Sequence, residues 1–140
     1  DGIIIVPATS CTEPPEPTKN VLFMDSMSDG GGTQLHHRED ACVSYVLQDV
    51  KFAGTYSVSF RVCTVHLEEV PILLTVSPED KEVPTSVVSV PVPYTIGDWK
   101  DTDSISVELA EGMNEFSFTR EMAVFGMTVK EIRLSRVCYS

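Results

Sequence analysis

Between Thr55 and Val62 every second residue is apolar: Tyr56, Val58, Phe60 and Val62 alternate with Ser57, Ser59 and Arg61. A period of two is the geometry of a strand with one face in a core and the other in water. The same alternation returns in Ile105, Val107 and Leu109 against Ser104, Ser106 and Glu108. No window carries apolar residues at i, i+3, i+4 and i+7 over a helical length, and nine prolines are spread through the 140 residues. The expectation is therefore all-β: an antiparallel β-sandwich, or jelly roll, of about nine short strands separated by turn residues.

In chain order, Ile3-Ile4-Ile5-Val6 is wholly apolar and stops at Pro7, which reads as a strand buried on both faces. Residues 9–19 hold Cys11, Pro14, Pro15 and Pro17, an extended connection. Residues 21–24 form another strand. Asp29-Gly30-Gly31-Gly32-Thr33 then makes a flexible loop leading to His36-His37-Arg38-Glu39-Asp40, the most polar stretch and a natural place for ligand contacts. Strands follow over 43–50, 55–65, 70–76 and 87–92, the last marked as an edge by Pro91 and Pro93. In 127–134 the apolar parity changes between Val129 and Ile132, which implies a β-bulge. With no internal repeat and no linker, residues 1–140 read as a single domain.

Lysine and arginine total 10 against 21 aspartates and glutamates, a formal charge of −11. Such acidity argues against nucleic acid, anionic membranes and polysulfated glycans as partners, because each needs cations to offset phosphate or sulfate. No apolar run approaches the ~20 residues that span a bilayer. The chain begins at Asp1 without a charged or apolar leader, as a processed product or an excised domain would. Cys11, Cys42, Cys63 and Cys138 are even in number and widely spaced, with no CxxC pair. That pattern suits two disulfides in a secreted domain, with pairing open among three connectivities; four reduced thiols is the alternative.

Trp99, the one tryptophan, sits between polar turn-formers, after Gly97-Asp98 and before Lys100-Asp101-Thr102-Asp103. It is either a lid over the core or a flat apolar platform for a sugar or another planar ligand. Signatures of catalysis are missing: there is no GxSxG and no HExxH. The carboxylate pairs Glu68-Glu69 and Asp101/Asp103 lie in turns and read as solvated faces. Gly30-Gly31-Gly32 precedes no helix and so cradles no phosphate. His36 and His37 are adjacent, face opposite ways on a strand, and do not readily share a metal. Asp98, Asp101 and Asp103 alternate as calcium ligands do but lack the Glu and Gly of a full calcium loop. No cofactor and no metal is expected, with calcium at these aspartates as the alternative.

Taken in order, Ser44-Tyr45-Val46, the segment from Phe52-Ala53-Gly54-Thr55-Tyr56 through Phe60-Arg61-Val62, the Gly97-Asp98-Trp99 loop, and Leu109, Gly112, Asn114, Phe116 and Phe118 resemble a known group. They are similar to carbohydrate-binding modules of families 6 and 35, within the galactose-binding-like jelly rolls, over roughly residues 41–134. The resemblance implies that Trp99 is the loop tryptophan that stacks on a sugar ring. The second aromatic of that cleft falls on Leu35-His36-His37, the usual asparagine falls near Thr128, and the calcium-holding glutamates have no counterpart in Ile3-Ile4-Ile5-Val6. The expected function is a non-catalytic glycan-binding module, secreted or carried by a larger polysaccharide-active protein. Its ligand contacts would come from Trp99, Asp98, Asp101, His36, His37 and Arg38. The alternative is a structural or protein-interaction sandwich that has lost sugar binding.

Overall fold

The structure, a computed structural model, describes residues 2–67, 70–121 and 123–137. The described strands are β1 (Ile3–Pro7), β2 (Val21–Asp25), β3 (Thr33–Glu39), β4 (Val43–Val50), β5 (Gly54–Cys63) and β6 (Ile72–Pro78). They continue with β7 (Ser86–Val90), β8 (Trp99–Asp101), β9 (Ile105–Leu109), β10 (Gly112–Arg120) and β11 (Ala123–Arg136). The only described helical element is the 3₁₀ turn Ala8–Ser10. One sheet runs β2-β3-β11-β5-β8, with β1 also on β11 and β9 also on β5; the other runs β4-β10-β6-β7. All pairings are antiparallel. The jelly-roll sandwich expected from the alternation is the observed architecture.

The core fills the space between the inward faces. Tyr56, Val58, Phe60 and Val62 of β5 are all buried while the residues between them are not. Phe60 meets Phe118 of the opposite sheet edge-on, with ring centroids 5.5 Å apart. Within the second sheet Tyr45 stacks on its register partner Phe116 at 4.9 Å. The Tyr45 hydroxyl donates to the Ala8 carbonyl, so a polar tip in the core is satisfied.

Three details differ from the reading of the sequence. β1 is not buried on both faces: Ile3 and Ile5 are 64% and 52% exposed, and only one side of the strand is covered by the core. Trp99 opens the short strand β8 rather than sitting in the turn, which spans Thr95–Asp98 with Asp98 N–H donating to Thr95 C=O. The disulfides are not formed among the described residues. Cys11, Cys42 and Cys63 are free, and Cys138 lies outside the described residues. Even number alone does not make a pair, since the two Cα atoms must stand about 4.4–6.8 Å apart. Here Cys63 ends β5 in one sheet and Cys42 precedes β4 in the other, while the Cys11 thiol donates to the Pro14 carbonyl.

The expected bulge in β11 is present, with the register shifting between Val129 and Glu131. Asn114, near the start of β10, is fully buried and closes the turn from β9: its amide accepts from Ala110 N–H and donates to Ala110 C=O, both at 2.9 Å. Asn114→Ala orphans both backbone groups and should cost about 2–3 kcal/mol in urea unfolding; a loss under ~0.5 kcal/mol would contradict this closure. Denatured without reductant, Cys11, Cys42 and Cys63 should all titrate with a thiol reagent, and the exposed Cys42 should react first in the native protein. Fewer than three reactive thiols would restore the disulfide framework.

Candidate functional site

The register of the larger sheet sets one row of residues across five strands. Leu22 faces His36, His36 faces Thr128, Thr128 faces Cys63, and Cys63 faces Trp99. All five are half-buried; Leu22, His36, Thr128 and Cys63 occupy the outer face because their neighbours in sequence occupy the core side, and Trp99 joins them through its pairing with Cys63. Trp99 and His36 are thus three strand spacings apart, about 14–15 Å between backbones. Thr128 and Cys63 form the floor between them. The His36 ring makes a 3.0 Å hydrogen bond between Nδ1 and the Thr128 hydroxyl. Burial lowers the His36 pKa, and the cations Arg38 and Arg120 lower it further, which favours the neutral ring.

The next row along the same face is charged. Arg61 of β5 faces Glu131 of β11 on one side and Asp101 of β8 on the other, with an Arg61–Asp101 separation of 3.5 Å. The bulge places Lys130 as the extra residue between the two rows. Its ammonium lies 5.1 Å from the centroid of the Trp99 ring, a cation–π distance. The 26–32 loop, which joins β2 to β3, folds across this surface. Trp99 Nε1–H donates to Ser28 Oγ at 3.0 Å, and Lys130 donates to the carbonyls of Ser28 and Asp29 at 2.6 and 2.8 Å. The Asp29 carboxylate takes a two-pronged bond from Arg61, at 3.0 Å from Nε and 2.8 Å from Nη2. That hydrogen bond holds the Asp29 carboxyl below its ordinary range and pushes the Arg61 guanidinium further up. Asp29, Arg61, Asp101, Lys130, Glu131 and Arg133 line a depression of ≈ 340 Å³.

Of the six residues expected to contact ligand, Trp99, His36 and Asp101 share this outer face. Arg38 is exposed on the same side of β3 as His36, and Asp98 is exposed in the turn before β8. His37 is elsewhere. Strand parity turns it into the core, fully buried against Phe118 at 5.6 Å, with Nε2 bonded to the Ala41 carbonyl and Nδ1 without a partner. This removes it from any surface contact. The residues that reading the sequence missed are Ser28, Asp29, Arg61 and Lys130. The bulge was the available signal, since a residue squeezed out of register must point somewhere new. A second aromatic pair, His66 stacked on Phe125 at 3.7 Å, was also missed. The pair Glu68-Glu69 lies outside the described residues. Among the described residues no three of His, Cys, Asp and Glu converge as a cation site needs, and Asp101 is already paired with Arg61.

No protein-family model matches this chain, and no curated protein does. Solved structures do. The family 6 module CBM6cm-2 of Cellvibrio mixtus lichenase 5A, solved with cellotriose, aligns at TM-score 0.70 and 17% identity, covering 99% of this chain and 100% of that one. A family 35 module from Clostridium thermocellum aligns at 0.71 and 14%, covering 98% and 100%. A Cry1Da tryptic core variant from Bacillus thuringiensis aligns at 0.72 and 12%, covering 98% of this chain but 24% of that one. The chain has the sandwich fold of family 6 and family 35 carbohydrate-binding modules. The Cry1Da match shows the same sandwich inside a much larger protein, so fold alone does not name a ligand.

Burial holds His37 neutral, with its pKa lowered from 6.5 to about 4. The unfolded chain takes up that proton near pH 6.5 and the folded chain only near 4. Unfolding therefore absorbs a proton between those values, and stability falls with pH by up to about 1.4 kcal/mol per unit; above pH 6.5 the effect vanishes. Urea midpoints from pH 7 to pH 4.5 should show this slope, and His37→Phe should flatten most of it. An equal slope in the variant would place the acid sensitivity elsewhere.

Proposed function

We propose that this protein is a non-catalytic carbohydrate-binding module whose glycan rests on the Trp99 side of the larger sheet. The observation that carries the reading is the row Trp99–Cys63–Thr128–His36 on the outer face of a sandwich of this fold. It combines a rigid apolar ring with a hydroxyl and an imidazole, the mixture that recognises a sugar's apolar face and its hydroxyls together. Asp98, Asp101 and Arg38 stand at its margins as further hydrogen-bonding groups. A catalytic role has little support: the His36–Thr128 contact lies beside cations that depress the ring's basicity. We place the module outside the cell, free or as an accessory domain of a larger polysaccharide-active protein, and residues 1–140 as one such unit.

One observation favours a second reading, an interaction sandwich without sugar binding: the indole N–H and part of the ring are already engaged by Ser28 and Lys130. Trp99→Ala decides between them. Affinity electrophoresis against a panel of soluble glucans, xylans and galactans should identify a retained wild-type ligand. The variant should then lose about 2 kcal/mol of binding, some thirtyfold in affinity. Its melting temperature should fall by only a few degrees, since a half-buried ring gives up one hydrogen bond and one cation–π contact. A loss of ~3–5 kcal/mol in stability with unchanged binding would make Trp99 a structural lid and refute the site.

A further inference from the structure

The 26–32 loop is held down in an unusual manner for a segment that crosses a sheet. Met27 is 94% exposed, and Cβ atoms added at Gly30, Gly31 or Gly32 would meet nothing within 4 Å. The loop therefore buries no apolar anchor at its tip. Asp29 at φ 54° and the three glycines at φ 80–85° form a run of left-handed residues, which glycine adopts without penalty. What fixes the tip is polar: Ser28 on the Trp99 indole, two backbone carbonyls on Lys130, and the Asp29 carboxylate on Arg61, with Lys130 3.9 Å from the same carboxylate. Every protein group so engaged is a donor pointing away from the core, beside the ring that would carry a sugar.

Those donors are the ones a polyhydroxylated ligand would use. An ether or hydroxyl oxygen can replace Ser28 Oγ on the indole and the carbonyls on Lys130, so the loop occupies the place of a ligand with its own oxygens. Contacts of this kind exchange at small net cost, because each broken bond is replaced by one of the same type. The ionic anchor is also only partly buried, and its attraction is weakened by salt.

We propose that the 26–32 loop is an internal gate: latched by Asp29 to Arg61 and Lys130, it shields Trp99, and a glycan binds to the open form. This rests on the carbohydrate reading of the Trp99 surface and adds to it a competition between loop and ligand. The apparent affinity is then the intrinsic affinity multiplied by the open fraction, so a loop open about a tenth of the time weakens binding tenfold. Asp29→Gly removes the carboxylate arm of the latch, leaving the backbone carbonyls on Lys130, and suits the local backbone, since glycine accepts φ 54°. Arg61 keeps Asp101 as a partner in that variant.

The test uses the single tryptophan. Acrylamide quenching of Trp99 fluorescence is measured without glycan in the wild type and in Asp29→Gly, and then glycan affinity is measured for both. The gate predicts that the variant is quenched more strongly, emits further to the red, and binds its glycan more tightly by up to the inverse of the open fraction. In the wild type, 1 M NaCl should raise quenching in the same direction, a check independent of any substitution. Equal quenching in the two proteins at both salt levels would overturn the gate. Stronger quenching with weaker binding would also overturn it, making the loop a wall of the site. Stronger quenching with no glycan bound by either protein would support closure over Trp99 while removing the carbohydrate reading, so the two failures are distinguishable.

Discussion

The outer surface of the larger sheet depends on one irregularity, the residue that β11 cannot pair. β11 is bordered by β3 and β1 on one side and β5 on the other. Val129 and Ile132 must both face the core, and two residues separate them where strict alternation allows one. Lys130 is the remainder. Its ammonium cannot enter the apolar interior without a large desolvation cost, so it turns outward onto Trp99 and collects the carbonyls of Ser28 and Asp29. Ring, loop and bulge thereby meet at one cation, which contacts both the Trp99 ring and the 26–32 loop.

This arrangement also explains how an acidic protein presents a locally mixed face. Against a net charge of −11, Arg61, Lys130 and Arg133 gather on one sheet surface, interleaved with Asp29, Asp101 and Glu131. The pairs are partly exposed and individually contribute little to stability. Their effect is on geometry, since a forked Arg61–Asp29 contact fixes the orientation of a loop that has no apolar anchor at its tip. A surface built this way can be both ordered and easily reorganised.

Much of the fold was legible because it rests on parity. Tyr56, Val58, Phe60 and Val62 announce β5, and the displaced parity of Val129 and Ile132 announces the bulge, since the core imposes both patterns on the chain. The failures occur where parity is silent. Ile3-Ile4-Ile5-Val6 is apolar on both sides although only one side is covered, so composition overstated its burial. The cysteines followed a counting rule that carries no distance. At the site, Trp99 was legible as a lone aromatic among turn residues, and the opposed directions of His36 and His37 follow from their adjacency on a strand. The contacts of Lys130 and of the glycine loop were not, because they join residues about a hundred positions apart through a side chain whose direction the bulge decides.

The claim that Lys130 organises this surface can be tested on one signal, the single indole N–H resonance in a ¹H–¹⁵N spectrum. In the native protein this proton is bonded to Ser28, and the ring that carries it lies under the Lys130 ammonium. Lys130→Met keeps an unbranched side chain one atom shorter and removes the charge. The account predicts that the indole resonance shifts markedly and that its solvent exchange accelerates, while amide signals of the core strands β4, β6 and β10 stay in place. An indole resonance that keeps both its position and its exchange rate in the variant would contradict the account, because ring and loop would then be held without the cation.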